Sequence, residues 1–599
     1  MRVADYIFSF LADYGVEDVF MLSGGGAMFL NDALGQEKRL RIICNHHEQG
    51  ASIAAEGSSR VNGKLSVVSV TTGPGGTNAL TGVIGEWLDS QPVLFISGQV
   101  KFPTTIASVP DLGLRQLGDQ EINIIDIVKP ITKYAAMVRD PLQIKAELKK
   151  AISLATTGRK GPVWLDIPIN VQSAEINPQE LPDIAIDSPE FRPDHNQVTK
   201  VCEILQSSRS PVIVAGHGIR LSSAINDFLT LVSKLKIPVL GTFNGFDILP
   251  SDSPFMVGRI GTIGNRAGNI ALQNSDCVIC IGTRNNIRQV SYNFENFAKK
   301  AKHLICVDID SAELNKPTVS PTLKINADAG IFIKYLLDML PEDLPDWQQW
   351  LEWCNSLQFK FPVVTEDYKH TSSGIQPYLF THKLTEMLPK NAIVACTNAT
   401  PSICLFQAGI VKSGQRMFAN SGCAAMGYGL PAALGAAVAG KGRPVICLEG
   451  DGSLMMNLQE LQTVKHNDLP VKLFLYNNDE YTSIRQTHDN FFKGRRTGCD
   501  KNSGVDFPDW QLIAAAFGWK YYIIDSLLSA ENLLPEILSS EAPVFCNVKL
   551  SFGYIFSPKL SSKVLPDGKI VSPSLEDMYP FLSPEEMKAT VYTPQPTLL

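Results

Sequence analysis

Short apolar runs recur along the chain, and stretches with helical periodicity separate them. In the first third, such runs lie within residues 65–73, 92–98 and 162–167. Continuous apolar runs of this length are typical of strands that are buried on both faces. Because helical stretches alternate with the runs, the pattern predicts a parallel sheet with helices on both sides. We expect one α/β domain over residues 1–175.

The same alternation returns twice more. A second series of apolar runs covers residues 211–216, 237–241, 277–282 and 303–308, and a third covers residues 391–395, 444–448, 471–476 and 543–548. Segments 171–195 and 341–374 are rich in proline, polar or charged residues and predict linkers. The predicted fold is therefore α/β, with three doubly wound parallel-sheet domains in series over residues 1–175, 190–340 and 375–550.

The end of the chain has a different composition. After Leu550 the sequence becomes rich in proline, serine and charged residues and loses the apolar rhythm. Such a segment is expected to lie over a surface rather than to form a core. We therefore expect residues 551–599 to be a C-terminal tail that is long enough to cover a site.

Charge and composition narrow the classes of protein. The 599 residues include 53 lysine and arginine against 60 aspartate and glutamate, a formal net charge of −7. Without a basic field, no nucleic acid is expected as a partner. No apolar run approaches the roughly 18 residues of a membrane helix, so no membrane partner is expected either. An acidic N-terminal region without a secretory pattern, and cysteines set in apolar runs, predict a cytoplasmic protein with reduced thiols.

One glycine-rich segment is the strongest candidate for chemistry. The sequence Glu449-Gly-Asp-Gly-Ser453 closes a predicted strand and precedes a helical stretch. Glycines at Gly450 and Gly452 would let the backbone approach a bulky anion, and Asp451 would offer a hard oxygen to a cation. A diphosphate bound together with a metal ion would suit this turn. A plain strand-to-helix turn is the alternative.

The next predicted strand ends in a second pair of oxygen ligands. It closes on Asn477-Asn478, and Asn478 lies 478 − 451 = 27 residues after Asp451. That spacing fits one helix and one strand, which would bring both strand ends to the same edge of a parallel sheet, where ligands collect. A magnesium ion held by Asp451, Asn478, a nearby carbonyl, phosphate and water is therefore predicted.

The glycine motif followed by the asparagine pair resembles the signature of thiamin-diphosphate-dependent enzymes. Four other segments are similar to segments of that family, namely residues 45–57, 71–78, 97–100 and 426–433. The chain looks most like the large catalytic subunit of acetolactate synthase and its relatives. The resemblance implies a pyrimidine-binding first domain, a central Rossmann-like domain and a diphosphate-binding third domain.

The resemblance also implies roles for individual residues. Glu48 would hydrogen-bond the pyrimidine ring, Met426 would support the bent coenzyme, and the Ala424 carbonyl would lie at its amino group. Asp451, Asn478 and the backbone carbonyl of Glu480 would bind Mg²⁺. Other positions expected to contact thiamin diphosphate are Gly25, His47, Gly75, Asn78, Gly450, Gly452 and Ser453. Taken alone, Glu48 reads as an acid near a helix N-terminus and Met426 as a core methionine.

In this family the glutamate and the diphosphate site come from different subunits. The resemblance therefore implies a homodimer or homotetramer with active sites at the subunit interface. It is also compatible with a regulatory subunit. The implied reaction is decarboxylation of a 2-oxo acid, pyruvate, followed by transfer of the activated acetaldehyde to a second carbonyl compound. Gln120, Lys133 and Gln486 resemble residues that acetolactate synthases place near the substrate.

Departures from that pattern leave the acceptor open. Asp119 replaces a usual aromatic residue, and Thr487 replaces the tryptophan that selects a small acceptor in typical acetolactate synthases. A relative that uses a larger acceptor, such as a keto-sugar nucleotide, is one alternative, and a catalytically silent cofactor-binding protein is another. Arg485 and His488 are either anchors for a charged acceptor or part of a solvated loop.

The central domain carries a second resemblance. Residues around Gly216, around Gly282-Thr-Arg284 and Arg288, and around Asp308 resemble segments that hold FAD in acetolactate synthases. Arginines suit a diphosphate, and a carboxylate after a strand suits a ribose. Asn285 and Asn286 depart from the usual pair. FAD is therefore expected, and the alternative is a fold that keeps these turns for packing alone.

Overall fold

A computed structural model describes residues 1–186, 189–564 and 567–594 of the chain. Residues 187–188 of the expected linker, together with 565–566 and 595–599 of the expected tail, lie outside the described residues. None of the helices in the described part is long and apolar enough to cross a bilayer.

Three six-stranded parallel sheets, each flanked by helices, confirm the predicted fold class. The N-terminal sheet contains β1 (Asp18–Met21), β2 (Arg41–Cys44), β3 (Ser66–Val70), β4 (Val93–Gln99), β5 (Tyr134–Met137) and β6 (Val163–Pro168). Its helices are α1 (Val3–Tyr14), α2 (Met28–Gln36), α3 (Glu48–Asn62), α4 (Pro74–Asn78), α5 (Leu80–Asp89), α6 (Ile124–Val128), α7 (Ile144–Thr156) and α8 (Ile169–Gln172). The strand order is β2-β1-β3-β4-β6-β5.

The central sheet has the order of a dinucleotide-binding fold. It contains β7 (Pro211–Ala215), β8 (Val239–Gly241), β9 (Met256–Arg259), β10 (Cys277–Ile281), β11 (His303–Asp308) and β12 (Leu323–Asn326). Its helices are α9 (His195–Ser207), α10 (Gly218–Leu221), α11 (Ile225–Leu235), α12 (Arg266–Asn274), α13 (Ile287–Val290), α14 (Ser311–Asn315), α15 (Ala329–Met339) and α16 (Gln348–Lys360). The order β9-β8-β7-β10-β11-β12 places the topological switch point between β7 and β10.

The C-terminal sheet repeats the relative order of the N-terminal sheet. It contains β13 (Ile393–Cys396), β14 (Arg416–Ala419), β15 (Val445–Gly450), β16 (Val471–Asn477), β17 (Lys520–Ile524) and β18 (Val544–Lys549), ordered β14-β13-β15-β16-β18-β17. Helices α17 (Pro377–Met387) and α18 (Thr400–Ala408) precede and follow β13 along the chain, and the later helices are α19 (Gly429–Gly440), α20 (Asp451–Leu454), α21 (Glu460–His466), α22 (Thr482–Phe492), α23 (Trp510–Ala516) and α24 (Leu527–Ser539). The switch point lies between β13 and β15, directly before Asp451.

The chain divides into two compact units. The first comprises residues 1–189, 391–401 and 416–549, and so contains the N-terminal and C-terminal sheets. The second comprises residues 190–390, 402–415 and 550–599, and contains the central sheet and the tail.

Two segments of the second unit are more ordered than the sequence predicted. The expected linker at 341–374 contains α16, and Trp347 and Trp350 are buried against the central sheet. Their indole N–H groups donate to the carbonyls of Ser208 and Pro211, each at 2.9 Å. Tryptophan is costly to leave in water, so the tryptophans of this segment were a signal for a packed helix.

The C-terminal tail also contributes to a core, which corrects the expectation of a surface layer. It forms the antiparallel pair β19 (Lys563–Val564) and β20 (Ile570–Val571), followed by α25 (Pro584–Lys588). Leu575 and Met578 are buried, and Asn269 of α12 donates to the Leu575 carbonyl at 3.0 Å. Buried residues such as Leu575 and Met578 thus anchor the tail to the central domain.

In the first unit, α3 and α19 pack with their backbones in direct contact. A Cβ atom on Gly57 would lie 2.2 Å from the Ala432 carbonyl oxygen, and one on Gly435 would lie 1.8 Å from that of Ala54. No side chain fits at either position, so glycine is required for the two helices to approach this closely. The contact joins the helix that begins at Glu48 to the helix that follows Met426.

We predict that Gly435→Ala lowers the free energy of unfolding by about 1–3 kcal/mol or more, because the new methyl group overlaps a backbone carbonyl. Gly35→Ala in α2 is the control, since a Cβ there meets no atom within 4 Å and alanine favours the helix by about 0.5–1 kcal/mol. Chemical denaturation of both variants checks this. Equal stability of the two would contradict the close contact.

Candidate active site

Asp451 is held in place by three backbone hydrogen bonds in the candidate site. It follows β15 directly, is buried, and its carboxylate accepts hydrogen bonds from the backbone N–H groups of Gly452 (2.7 Å), Asn478 (3.0 Å) and Asp479 (2.8 Å). Burial raises the pKa of Asp451 to about 7, against the opposing effect of these donors. The ends of β15 and β16 therefore meet as the spacing of 27 residues predicted.

Asn478 and Glu480 complete the predicted metal ligands. The Asn478 amide oxygen accepts from the Glu480 N–H at 3.3 Å, and its amide nitrogen donates to Thr482. The Glu480 carboxylate accepts from Arg485 at 2.6 Å. Because that carboxylate is engaged, the predicted ligand at Glu480 remains its backbone carbonyl.

The site offers few charged metal ligands. No group of three or more His, Cys, Asp or Glu side chains that could hold a metal ion occurs in the described part of the chain. One buried carboxylate, one amide oxygen and one carbonyl are a set that suits a hard cation whose remaining ligands are phosphate and water. The donors thus fit magnesium bound together with a diphosphate.

The two glycines of the motif have different surroundings. A Cβ on Gly452 would lie 1.9 Å from the Tyr481 ring, so packing against Tyr481 requires glycine there. A Cβ on Gly450 would meet no atom closer than Ser453 Cβ at 3.9 Å. The protein itself therefore leaves open space at Gly450, which fits the close approach of a bulky anion.

Residues 420–428 form the Met426 loop, which leads into α19. Gly427, at φ +79°, donates from its N–H to Ser453 Oγ at 2.7 Å and accepts at its carbonyl from Asn457, also at 2.7 Å. Ser453 is in turn hydrogen-bonded to Thr397 at 2.7 Å. The side chain of Ser453, predicted to contact the coenzyme, thus fixes the backbone next to Met426.

Ala424 lies in the same loop with φ +53°, a conformation that is uncommon for a residue with a side chain. Its carbonyl accepts from the Asn398 amide at 2.8 Å. A carbonyl oxygen has two lone pairs, so one remains for a ligand. Asn398, which the sequence did not single out, thereby sets the direction of the Ala424 carbonyl.

Glu449 is a second residue whose role the sequence did not indicate. It is fully buried, and its carboxylate accepts from the N–H groups of Leu430 (2.9 Å) and Gly450 (3.1 Å). Burial raises its pKa above the usual range. The carboxylate ties the start of α19 to the end of β15, and an acidic residue at the end of a buried strand was the available signal.

The predicted residues of the N-terminal domain form a separate group. Glu48 is the first residue of α3 and is buried, and its carboxylate accepts from the Asn78 amide at 3.0 Å. A Cβ on Gly75 would lie 3.6 Å from the same carboxylate. His47 caps α3, with Nδ1 accepting from the Gln49 N–H at 3.1 Å. Gly25 has no atom within 4 Å of its Cβ position, so space remains there too.

A buried polar network lies among the strand ends of the same sheet. Thr72 donates to Gln99 at 2.5 Å, while Gln99 and Ser97 donate to Asp166 at 3.1 and 2.5 Å. Burial raises the pKa of Asp166 to about 7. The segment 97–100 was predicted to matter, but Asp166 was missed because its partners lie 67 and 69 residues away.

Gln120 and Lys133 occupy different surroundings. Gln120 is exposed at φ +59°, and its carbonyl lies 2.2 Å from the Cβ position of Gly73, beside the 71–78 segment. Lys133 donates to the Thr157 carbonyl at 2.7 Å. Burial, with Arg159 nearby, lowers the pKa of Lys133 to about 8. Gln120 therefore lies next to a segment that was predicted to contact the coenzyme. The Lys133 side chain is instead hydrogen-bonded to the residue that follows α7.

Residues 482–492 form helix α22, which corrects the solvated-loop alternative for Arg485 and His488. Arg485 is buried between the carboxylates of Glu480 (2.6 Å) and Asp489 (3.2 Å). Helical periodicity turns Arg485 and Gln486 inward and leaves Thr487 exposed. An arginine engaged by two carboxylates is poorly placed to anchor a charged acceptor.

No hydrogen bond directly joins the two groups of predicted residues in the described part of the chain. Among the described residues, Glu48 forms no hydrogen bond or ion pair with Asp451, Asn478 or Glu480. Its carboxylate is bonded to Asn78 of its own domain. The hydrogen bonds of the glutamate and those of the predicted metal ligands thus form two separate networks.

The residues predicted to hold FAD lie at the carboxyl ends of the central strands. Gly216 and Gly282 follow β7 and β10 at the switch point, and a Cβ on Gly216 would lie 2.2 Å from the Gly282 carbonyl oxygen. Packing of the two strand ends therefore already requires glycine. The Arg288 guanidinium lies 5.5 Å from the ring centre of Phe243, and Asp308 accepts from the Asp310 N–H at 2.9 Å.

Two asparagines mark the same edge of the central sheet. Asn285 is buried at φ +45°, and its side-chain oxygen accepts from Gln289 at 2.8 Å. Asn244 Oδ1 is buried without a hydrogen-bond partner in the described part of the chain. Buried hydrogen-bond acceptors are rarely left unpaired. A ligand bound at this edge would therefore be expected to donate a hydrogen bond to Asn244 Oδ1.

Comparison with known proteins agrees with this geometry. Residues 1–123 match the family described as "Thiamine pyrophosphate enzyme, N-terminal TPP binding domain", residues 198–336 match its "central domain", and residues 402–548 match its "C-terminal TPP binding domain". The three matches fall on the three sheets in order.

Similar full-length proteins span nearly the whole chain. The acetolactate synthase large subunit of Lactococcus lactis subsp. lactis is 32% identical, covering 90% of this chain and 91% of that protein. A probable acetolactate synthase large subunit of Methanocaldococcus jannaschii is 33% identical over 92% of both chains. The acetolactate synthase isozyme 2 large subunit of Escherichia coli is 31% identical, covering 92% of this chain and 96% of its own.

We predict that Gly450→Ala leaves the melting temperature nearly unchanged but weakens thiamin diphosphate binding by about tenfold or more, because a methyl group would enter the ligand's space. Gly452→Ala is the comparison variant, which should also lose stability because of the Tyr481 ring. Calorimetric titration and thermal unfolding measure the two effects. Unchanged binding by Gly450→Ala would contradict a diphosphate at this turn.

Proposed function

Since this chain belongs to the family of thiamine pyrophosphate enzymes, we propose that it decarboxylates pyruvate and joins the remaining two-carbon unit to a second carbonyl compound. The proposal rests on one observation above all. Asp451 and Asn478 meet at adjacent strand ends beside the open space at Gly450. The similarity to acetolactate synthase large subunits over some 90% of the chain supports the same reaction class.

Each residue of the C-terminal group has a task in this proposal. Thiamin diphosphate, when bound, accepts the electron pair that a departing carboxylate leaves behind. Asp451, Asn478 and the Glu480 carbonyl would hold Mg²⁺ against the diphosphate, with Gly450 giving room for it. The Met426 loop would present the Met426 side chain and the Ala424 carbonyl to the coenzyme's pyrimidine ring.

Glu48 would act on the far side of that ring. A buried carboxyl group can share a proton with a ring nitrogen and so make the coenzyme's amino group a base. The resemblance implies that the glutamate and the diphosphate site come from different subunits, and Glu48 is bonded within its own domain to Asn78. We therefore propose that two copies share each active site. The protein would then be a homodimer or a homotetramer.

The acceptor is proposed to be either a second 2-oxo acid or a larger carbonyl compound such as a keto-sugar nucleotide. The second candidate is favoured by Thr487. This small, exposed side chain on α22 stands nine residues after Asn478, where a tryptophan would narrow the space for the acceptor. Gln486, buried beside it, is proposed to face the substrate.

The central domain is proposed to bind FAD. Two observations support this: Gly216 and Gly282 follow the strands on either side of the switch point, and the buried Asn244 oxygen can accept a hydrogen bond from a ligand. Arg284 and Arg288 would contact the diphosphate, and Asp308 the ribose. We further propose a cytoplasmic location and, because relatives are named large subunits, association with a regulatory subunit.

We predict that Glu48→Gln lowers turnover of pyruvate by about 100-fold or more, because the amide cannot share a proton with the coenzyme. Thiamin diphosphate binding, measured by calorimetry with Mg²⁺ present, should persist. Glu175→Gln, at an exposed side chain of the same domain, is the control. Unchanged turnover in Glu48→Gln would contradict the proposed role of Glu48, and no measurable turnover in the wild type would support a catalytically silent cofactor-binding protein.

A product analysis distinguishes the two acceptors. Purified protein is incubated with pyruvate, thiamin diphosphate and Mg²⁺, with and without a keto-sugar nucleotide. Acetolactate from pyruvate alone supports the first candidate. Carbon dioxide release that depends on the sugar nucleotide, together with a branched sugar product, supports the second, and no decarboxylation in either case contradicts both.

For the flavin, we predict that protein saturated with FAD retains a flavin absorbance band after gel filtration. Arg288→Ala should weaken FAD binding by about tenfold or more, since a hydrogen bond to a charged group would be lost. Arg192→Ala, an exposed arginine near the domain's start, serves as the control. A wild-type protein that retains no flavin would show that these turns serve packing alone.

A further inference from the structure

A buried cluster of charges lies between α3, α5 and the start of β14. Arg60 forms ion pairs with Glu56 at 2.8 Å and with Asp89 at 2.6 Å, and the three side chains are at most 2% exposed. Arg416 donates to the Arg60 carbonyl at 3.0 Å, and the guanidinium of each arginine lies over the Phe418 ring. None of these charged residues has a role in the reaction proposed above.

The cluster is bonded directly to the Met426 loop. Both carboxylate oxygens of Asp89 accept from backbone N–H groups at the start of the loop, Ser421 at 2.9 Å and Gly422 at 3.0 Å. At the other end of the loop, the Tyr428 hydroxyl donates to Glu56 at 3.0 Å. The N-terminal domain thus holds both ends of a loop that belongs to the C-terminal domain.

The rest of the loop is held from within its own domain. Asn420 accepts from the N–H groups of Cys423 and Ala424 at 3.0 and 3.1 Å, and Ser453 accepts from Gly427. Ala424 and Gly427 both have positive φ, so the loop has a conformation that its residues would rarely adopt unaided. The surrounding hydrogen bonds must therefore impose it.

Stability alone does not account for such a cluster. Desolvating buried charges is costly, and well-packed apolar residues often give equal or greater stability, whereas an ion pair fixes distance and direction. In this cluster Arg60 fixes the Asp89 carboxylate, and the carboxylate fixes two backbone N–H groups. The chain of contacts runs from the helix that begins at Glu48 to the loop that carries Ala424.

We propose that Asp89, oriented by Arg60, is a positioning residue that sets the Met426 loop in the conformation needed to receive the coenzyme's pyrimidine ring. This inference rests on the proposed function for its catalytic meaning. The conformational part concerns the protein alone and is tested without coenzyme.

Hydrogen exchange of the coenzyme-free protein tests the conformational part. In Asp89→Asn, the new amide N–H₂ faces a backbone N–H donor, so one of the two loop contacts is lost. Peptides covering residues 417–428, followed by mass spectrometry, should then exchange about tenfold faster, the effect of one hydrogen bond to a charged group. Glu17→Gln is the control, since it removes an exposed ion pair between the same domains, to Lys441 at 2.6 Å.

Binding and kinetics test the catalytic part. Asp89→Asn should raise the dissociation constant of thiamin diphosphate by about tenfold, while kcat at saturating coenzyme falls far less than in Glu48→Gln. Asp89→Glu, which keeps the charge, should recover part of the affinity. Unchanged exchange in a folded Asp89→Asn protein overturns the proposal, and so does faster exchange with unchanged affinity.

A second variant decides the matter if Asp89→Asn does not fold. Tyr428→Phe removes one hydroxyl contact with Glu56 and should raise exchange at the C-terminal end of the loop, with wild-type exchange overturning the proposal. A wild-type protein that binds no thiamin diphosphate would refute the proposed function instead, and the exchange results would still report on the loop.

Discussion

The backbone contact between α3 and α19 constrains the whole first unit. Gly57 and Gly435 each lie so close to a carbonyl of the opposite helix that no side chain fits between them. One of these helices begins at Glu48, and the other begins directly after the Met426 loop. Any shift of one helix would therefore displace the residues on which the proposed chemistry depends.

Hydrogen bonds to the backbone dominate the geometry of the C-terminal group. Asp451 is held by three N–H groups, and Gly427 is fixed at both its N–H and its carbonyl. Groups held in this way need little rearrangement when a charged ligand arrives, and such preorganisation is the usual source of strong electrostatic effects in enzymes. The buried cluster at Asp89 extends the same arrangement from the N-terminal domain into the Met426 loop.

Local sequence signals predicted the sheets and the centre of the site. Strands buried on both faces are apolar throughout, so runs such as β4 and β15 could be located, whereas the partly exposed strands β2 and β17 were not. Parallel topology then brings Asp451 and Asn478 together. Long-range polar contacts left no such signal. Asp89 contacts residues 332 and 333 positions away, and Asp166 is bonded 67 and 69 positions away. The burial of Arg485 has a local cause that was missed, since its carboxylate partners lie five residues before it and four after it and are brought to it by the start of α22.

The claim that two copies share each active site can be tested by mixing two inactive chains. Glu48→Gln and Asp451→Asn are co-expressed with different affinity tags, and the doubly tagged dimer fraction is confirmed. If the site is shared, every mixed dimer has one intact site out of two. Random pairing makes about half of the dimers mixed, so the unfractionated preparation should have about a quarter of the wild-type activity. Mixed dimers with no more activity than either variant alone would contradict the account.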